Sequence, residues 1–199
     1  MYICFIDFLM RLNMKKTMQK YSILVLISLS LIGCNIINKE CDCNSLLREE
    51  GIWKDSIGSP YSGKCKTFYA NGNIESSSEF TNGQMHGHTH FYYESGKLKE
   101  DLEYKDNQNT GKIIYYYESG QVEIEGYAKN GEKFGEWKEY YEDGTLKVVD
   151  KYEHGILHGW CKSFLKNGSI EMEGEMKDGK EDGKWLFYDS LGVNEAYSS

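Results

Sequence analysis

Proline is nearly absent: Pro60 is the only one in 199 residues. With 21 glycines but no Gly-X-Y triplet, the composition excludes collagen, and the single proline excludes Pro-rich linkers. No apolar run reaches the roughly 20 residues of a membrane-spanning helix; the longest is Tyr21 to Ile32. Basic residues are outnumbered, 23 Lys and Arg against 31 Asp and Glu, a net charge of −8 that argues against a nucleic-acid partner. Signatures of chemistry are missing too: no Gly-x-Ser-x-Gly elbow, no P-loop, no His-Glu-x-x-His. No Ser, His and Asp set can be singled out. The expectation is a non-enzymatic protein with no catalytic residue and no cofactor. What is abundant is tyrosine, 16 residues, beside the glycines. That pairing favours short strands and turns over a helix bundle.

The first 33 residues read as a signal peptide. Lys15, Lys16 and Lys20 form a basic region ahead of the apolar run. Met14-Lys15-Lys16 reads as the natural start, which leaves residues 1–13 without an assigned role. The run ends Leu31-Ile32-Gly33-Cys34, which resembles the bacterial lipobox. That resemblance implies diacylglyceryl transfer to the Cys34 thiol and cleavage before it. Asn35 follows, in place of the Asp that usually retains enterobacterial lipoproteins at the inner membrane. The expected address is the cell envelope, lipid-anchored to a bacterial membrane, outer favoured over inner. Residues 34–45 are polar and read as a tether. The exported body is more acidic than the whole chain, so it should stand off an anionic membrane surface.

From Gly63 the chain repeats with a period of 24. One glycine series runs Gly63, Gly87, Gly111, Gly135, Gly159, Gly183. A second runs Gly72, Gly96, Gly120, Gly144, Gly168, Gly192. A third holds Gly83, Gly131, Gly155 and Gly179, with Asn107 in the missing slot. Asn is the residue that best replaces Gly at positive φ, so the exception fits a turn. Asn-Gly and Asp-Gly pairs between apolar segments of strand length predict hairpins in series. Aromatic columns keep the same frame: Phe68, Tyr92, Tyr116, Tyr140, Phe164 and Tyr188 in one, Tyr69, Tyr93, Tyr117 and Tyr141 in the next. Neighbouring strand positions face opposite ways, so these columns place bulk on both faces of the sheet. The predicted fold is all-β, an elongated antiparallel β-meander of stacked 24-residue hairpin repeats. The array should cover 63–192, five full repeats and a partial sixth, with 193–199 as a tail.

The unit Gly135-Glu136-Trp137-Lys138-Glu139-Tyr140-Tyr141-Glu142-Asp143-Gly144-Thr145-Leu146, continued by Tyr152-Glu153-His154-Gly155, resembles the MORN repeat in its bacterial variant form. Arg48 to Trp53 and Ser59 to Gly63 resemble the entry segment of such arrays, so 46–62 is expected to cap the first repeat. The resemblance is specific for fold and weakly specific for function. Bacterial members are often labelled the antitoxin of a toxin–antitoxin pair, and eukaryotic ones are linked to scaffolding and membrane association. An exported, lipid-anchored chain fits poorly with neutralising a cytoplasmic toxin. Three readings of the array follow: a protein-interaction surface or spacer, a glycan-binding module, and an antitoxin-like or immunity-like binder of an effector.

The candidate interaction surface is the ladder Tyr69, Tyr93, Tyr117 and Tyr141. For glycan stacking the tryptophans matter, and Trp137, Trp160 and Trp185 read as out of register between units. His86, His88 and His90 are the candidates for a metal, because imidazole suits Zn, Cu or Ni. His86 shares its repeat position with His158, so it also reads as a repeat letter, and no metal is assigned. Cys65 and Cys161 occupy the same repeat position. At about 4.8 Å per strand they lie roughly 38 Å apart, beyond the ~7 Å reach of a disulfide. Cys65, nearest the tether, can reach Cys41 or Cys43 instead.

Overall fold

A computed structural model describes residues 34–35, 40–189 and 194–198, with side chains described over 40–189. The segment read as a signal peptide lies outside the described residues, and of Cys34 only the backbone is described. The repeat unit is a pair of strands, and the pairs run on without a helix between them: β5 (Gly63–Phe68) and β6 (Ile74–Thr81), β7 (Gln84–Tyr92) and β8 (Leu98–Lys105), β9 (Gln108–Tyr116) and β10 (Val122–Lys129), β11 (Glu132–Tyr140) and β12 (Leu146–Glu153). The next unit is split into β13 (Ile156–Leu157) and β14 (Gly159–Phe164), followed by β15 (Ile170–Lys177); β16 (Lys180–Tyr188) and β17 (Asn194–Ser198) close the series. Ahead of them stand β1 (Cys34–Asn35), β2 (Glu40–Asp42), β3 (Leu47–Glu49) and β4 (Ile52–Lys54). Each repeat strand pairs with its sequence neighbours in one antiparallel meander, and β2 joins the front of that sheet parallel to β5. The expected all-β meander is therefore the fold.

Two kinds of turn alternate along its edges. At the first, both central residues have positive φ: Asn82 and Gly83, Asp106 and Asn107, Asn130 and Gly131, His154 and Gly155, Asp178 and Gly179. These are two-residue type I′ loops, whose twist matches that of the strands. Asn107 has φ 66°, as its place in the glycine series predicts, and its Oδ1 also accepts from the Met85 N–H at 2.9 Å. At the other edge three residues turn, with only the glycine in the left-handed region. The Gly72 N–H donates to the Tyr69 carbonyl at 2.9 Å, and the Tyr69 N–H to that of Asn73 at 2.9 Å. The same pair of bonds recurs at Tyr93, Tyr117, Tyr141 and Leu165.

Neighbouring repeats are joined at both edges by bonds beyond the sheet ladder. The tyrosine at each three-residue turn donates its hydroxyl to a carbonyl in the next repeat: Tyr69 to Tyr92 at 2.7 Å, Tyr93 to Tyr116 at 2.7 Å, Tyr117 to Tyr140 at 2.8 Å, Tyr141 to Phe164 at 2.9 Å. At the opposite edge each type I′ turn donates a backbone N–H to the repeat before it: Gly83 to Tyr61, Asn107 to Met85, Gly131 to Asn109, Gly155 to Lys133, Gly179 to Leu157.

One face of the sheet carries a buried stripe. Cys65, Thr89, Ile113, Trp137, Cys161 and Trp185 are all buried, and they occupy one repeat position. The tryptophans Trp137 and Trp185 are thus in register with each other, which corrects the reading above; Trp160 alone lies outside the column and is exposed. Facing strands supply Ser78, Leu102, Gly126, Asp150 and Gly174 to the same stripe. Size is shared across the pair. Ile113 meets Leu102, whereas the two tryptophans lie where Gly126 and Gly174 leave room.

Two boundaries move, and the entry segment keeps its place. The tether does not extend to residue 45, because β2 is paired to β5 and Cys43 is bonded to Cys65. The segment read as a tail forms β17, hydrogen-bonded to β16. The entry segment folds as the β3–β4 hairpin in its own small sheet. It covers the front of the array: Leu46, Tyr61 and Phe80 form a core with Cys41 and Cys65, and Trp53 packs against it.

Candidate functional site

The face opposite the buried stripe is polar and carries a repeating column of aromatics, with Tyr127 and Trp160 exposed beside it. By strand alternation the column Phe68, Tyr92, Tyr116, Tyr140, Phe164 and Tyr188 lies on this outer face, and Phe68 is half exposed. Beside it runs a column of acids, each held by donors from neighbouring strands. Glu125 accepts from the Tyr140 hydroxyl at 2.8 Å and pairs with Lys112 at 3.0 Å. Glu173 accepts from Tyr188 at 2.8 Å and pairs with Lys162 at 2.6 Å. Those donors hold both carboxyls below the usual range, with the Tyr140 bond the largest cause at Glu125 and the Lys162 bond at Glu173.

Asp101 occupies the same column one repeat before Glu125, and its partners are histidines. Along β7, His88 and His90 project to the same side with rings stacked, centroids 5.7 Å apart and planes 10° apart. Asp101 of β8 lies directly opposite His90. Its Oδ1 is 3.0 Å from His88 Nδ1 and 3.3 Å from His90 Nε2. The three ligand atoms lie within 4.8 Å of one another. Hydrogen bonding to Asp101 raises the His88 pKa, with smaller contributions from the charges of Asp101, Glu103 and Glu79. His86 is not part of this group. It pairs with Asp106 at 3.4 Å near the type I′ turn, as its repeat counterpart His158 does with Asp178 at 3.6 Å. The metal candidates thus separate: His88 and His90 come together, His86 does not, and the third member is an aspartate that sequence reasoning missed.

The tyrosine ladder read as the interaction surface is tied into the array. The hydroxyls of Tyr69, Tyr93, Tyr117 and Tyr141 are used on backbone carbonyls, and their rings sit half-buried on the inner side. Lys99 and Lys147 lie over the rings of Tyr93 and Tyr141, each 5.8 Å from the centroid. These side chains bind repeat to repeat. The outer column, one residue earlier in each unit, lies on the opposite face, with Phe68 exposed and the other members half-buried.

Two cysteine positions are settled by geometry. Cys43 is bonded to Cys65, with Cα atoms 5.0 Å apart, and Cys41 is buried beside them. Cys161 is buried next to Asp150, and burial, followed by the charge of Asp150, pushes its thiol pKa up to about 11. A thiol so shifted stays protonated and acts as a small apolar side chain of the stripe. It lines a cleft of about 370 Å³ between Asp150, Met172, Met176 and Trp185.

A comparison with protein families agrees with the hairpin repeat. The model of the MORN repeat variant matches residues 61–82, 85–106, 109–130 and 135–154. Four consecutive segments are thus similar to the MORN repeat variant, and β14 to β17 continue the meander beyond them. No curated protein matches the chain. Among solved structures, a chain of a GtfA/B complex described as bound to UDP and GlcNAc is similar at 8% identity and a TM-score of 0.26, over 57% of this chain and 22% of that one. At that score the likeness carries no functional argument.

Proposed function

We propose that the protein is a non-enzymatic, lipid-anchored component of a bacterial cell envelope whose repeat array presents an interaction surface for another protein, or holds one at a distance from the membrane. Anchoring rests on the basic region, apolar run and Leu31-Ile32-Gly33-Cys34 of the leader. The binding role rests on one observation: the outer face carries an aromatic residue in every repeat, beside a donor-held acid at Asp101, Glu125 and Glu173, while the inner face is occupied with packing. Aromatic rings flanked by ordered polar groups are what protein interfaces use as anchors. The same rings suit sugar stacking, which makes an envelope glycan the second reading.

The test uses the full chain expressed in its envelope, with a photo-crosslinking residue at Tyr116 on the outer face or at Tyr117 on the inner. Specific protein adducts from position 116 and none from 117 are expected. Adducts from neither, together with retention on purified envelope polysaccharide, favour the glycan reading. Cys34→Ala tests the anchor separately: it should abolish lipid labelling and membrane retention while leaving the sheet spectrum unchanged.

A further inference from the structure

The pair of imidazoles on β7 does more than continue the acid column. At Glu125 and Glu173 the donors are a lysine and a tyrosine hydroxyl, which satisfy a carboxylate and have no lone pairs suited to a metal at neutral pH. At Asp101 the partners are two imidazoles, which become ligands once neutral. We propose that His88, His90 and Asp101 form a binding site for a divalent late-transition metal ion, with zinc as the probe.

Three features carry this. First, the set is two nitrogens and one carboxylate oxygen, a combination suited to zinc. Second, the ligands come from paired positions of a hydrogen-bonded sheet. His88 and His90 are two residues apart on β7 and Asp101 is held opposite by the β7–β8 ladder, so their backbone is already ordered. The ligand atoms, within 4.8 Å of one another, need only side-chain rotation to close on one ion. Third, the group lies on the solvent side: His88 is about half exposed, His90 about a third and Asp101 about a quarter. Three protein ligands on an open face leave a fourth position for water or for a side chain of a bound partner. Glu79 and Glu103, near enough to act on His88, add negative charge around the cation.

Ligation needs neutral imidazole, so protons compete with the metal and apparent affinity must fall with falling pH. His86 provides an internal control. It shares the strand and the residue type but pairs with Asp106 and lies outside the trio.

The test is zinc binding to the full chain, solubilised in detergent with the Cys43–Cys65 disulfide oxidised, followed by calorimetry and by X-ray absorption at the zinc edge. Expected are zinc binding with histidine ligation, a rise in Tm on zinc addition, and at least a tenfold loss of affinity in His88→Asn, His90→Asn and Asp101→Asn, with His86→Asn unchanged. Circular dichroism confirms that the variants keep their sheets; if one does not, His88→Gln takes its place. Absence of zinc uptake, or uptake that survives the His88→Asn/His90→Asn double substitution, overturns the proposal. Equal losses in His86→Asn and His88→Asn overturn it as well, since they would place the metal elsewhere on β7.

Discussion

Gly126→Ala should destabilise the protein, although the backbone there accepts an alanine. Gly126 is outside the left-handed region, so an added methyl group brings no backbone strain. In a free strand position the change would stabilise by about 0.4–1 kcal/mol, because alanine loses less chain entropy on folding. Here the new Cβ would stand 2.5 Å from Trp137 Cε2 and 2.6 Å from Cγ, distances that carbon atoms do not tolerate. The ring cannot easily move away. Its Nε1 donates to the Tyr127 carbonyl at 3.0 Å, Tyr152 meets its ring at 6.2 Å, and the Lys133 ammonium sits 4.3 Å from its centroid. Overpacking costs about 1–3 kcal/mol, and a displaced indole also gives up a hydrogen bond worth about 1 kcal/mol. A net loss of about 2–3 kcal/mol is expected. In a Trp137→Ile background the obstruction is gone, and the same Gly126→Ala change should become neutral or stabilising. The sign reversal is the measurement. Urea unfolding of the four proteins gives the coupling energy directly. A Gly126→Leu/Trp137→Ile chain should recover part of the loss caused by Trp137→Ile alone, because it rebuilds the Leu102–Ile113 pair of the preceding repeat. An equal cost of Gly126→Ala in both backgrounds would refute the volume-sharing account of the stripe.

Four further outcomes are expected. Gly120→Val should lower stability by about 1–3 kcal/mol, since Gly120 has φ 96°, whereas Ser119→Val should fall within about 0.5 kcal/mol of the parent; equal Tm values would misplace the turn. Tyr117→Phe removes the hydroxyl bond to the Tyr140 carbonyl and should cost about 1 kcal/mol in thermal unfolding. Cys43→Ser opens the link to Cys65 across 22 residues and should cost about 2–4 kcal/mol, with the parent losing the same amount under reductant. The His88 pKa is raised in the folded state, so its stabilisation is complete below the ordinary value of 6.5 and is lost as the pH rises through the higher folded value; Asp101→Asn should flatten that dependence in metal-free Tm measurements.

The period, the turns and the strand order were legible because each rests on a residue type. A two-residue loop with positive φ at both positions demands Gly, Asn or Asp, and the chain writes one of them, or a histidine, every time. The buried stripe was not legible in the same way. Cys65, Thr89, Ile113, Trp137, Cys161 and Trp185 have no one side-chain type common to all, because what the position must satisfy is a volume summed with the facing strand. Trp137 is permitted by Gly126, some ten residues away, and neither residue signals the other. The role of Asp101 was hidden by register. A hairpin closed by Tyr93 and Lys97 would place Glu100 opposite His90 if both strands were regular. An extra residue, Lys99, bulges from β8 and shifts the pairing by one, which brings Asp101 across instead. The same bulge recurs at Glu75, Glu123, Lys147 and Glu171, so it belongs to the repeat, but it carries no glycine to announce it.

The division between the two faces explains how such an array can acquire a function without endangering its fold. Each repeat is closed by bonds that use backbone groups and inner-side tyrosines: the type I′ turn to the repeat before it, the tyrosine hydroxyl to the repeat after it. None of these bonds uses an outer side chain. Substitutions on the outer face therefore act on surface ion pairs, which contribute about 0–1 kcal/mol each, while substitutions on the inner face act on packing, where a single residue costs several times more. The acid column displays the consequence. Asp101, Glu125 and Glu173 hold equivalent positions, yet one is held by two imidazoles, the others by lysine and tyrosine, and the intervening position is Val149, with no acid at all. A sheet whose stability depended on that column could not vary it so freely. Partner recognition and metal binding, where the array has them, belong on the outer face of individual repeats, and each can be removed there by substitution while the remaining repeats stay folded.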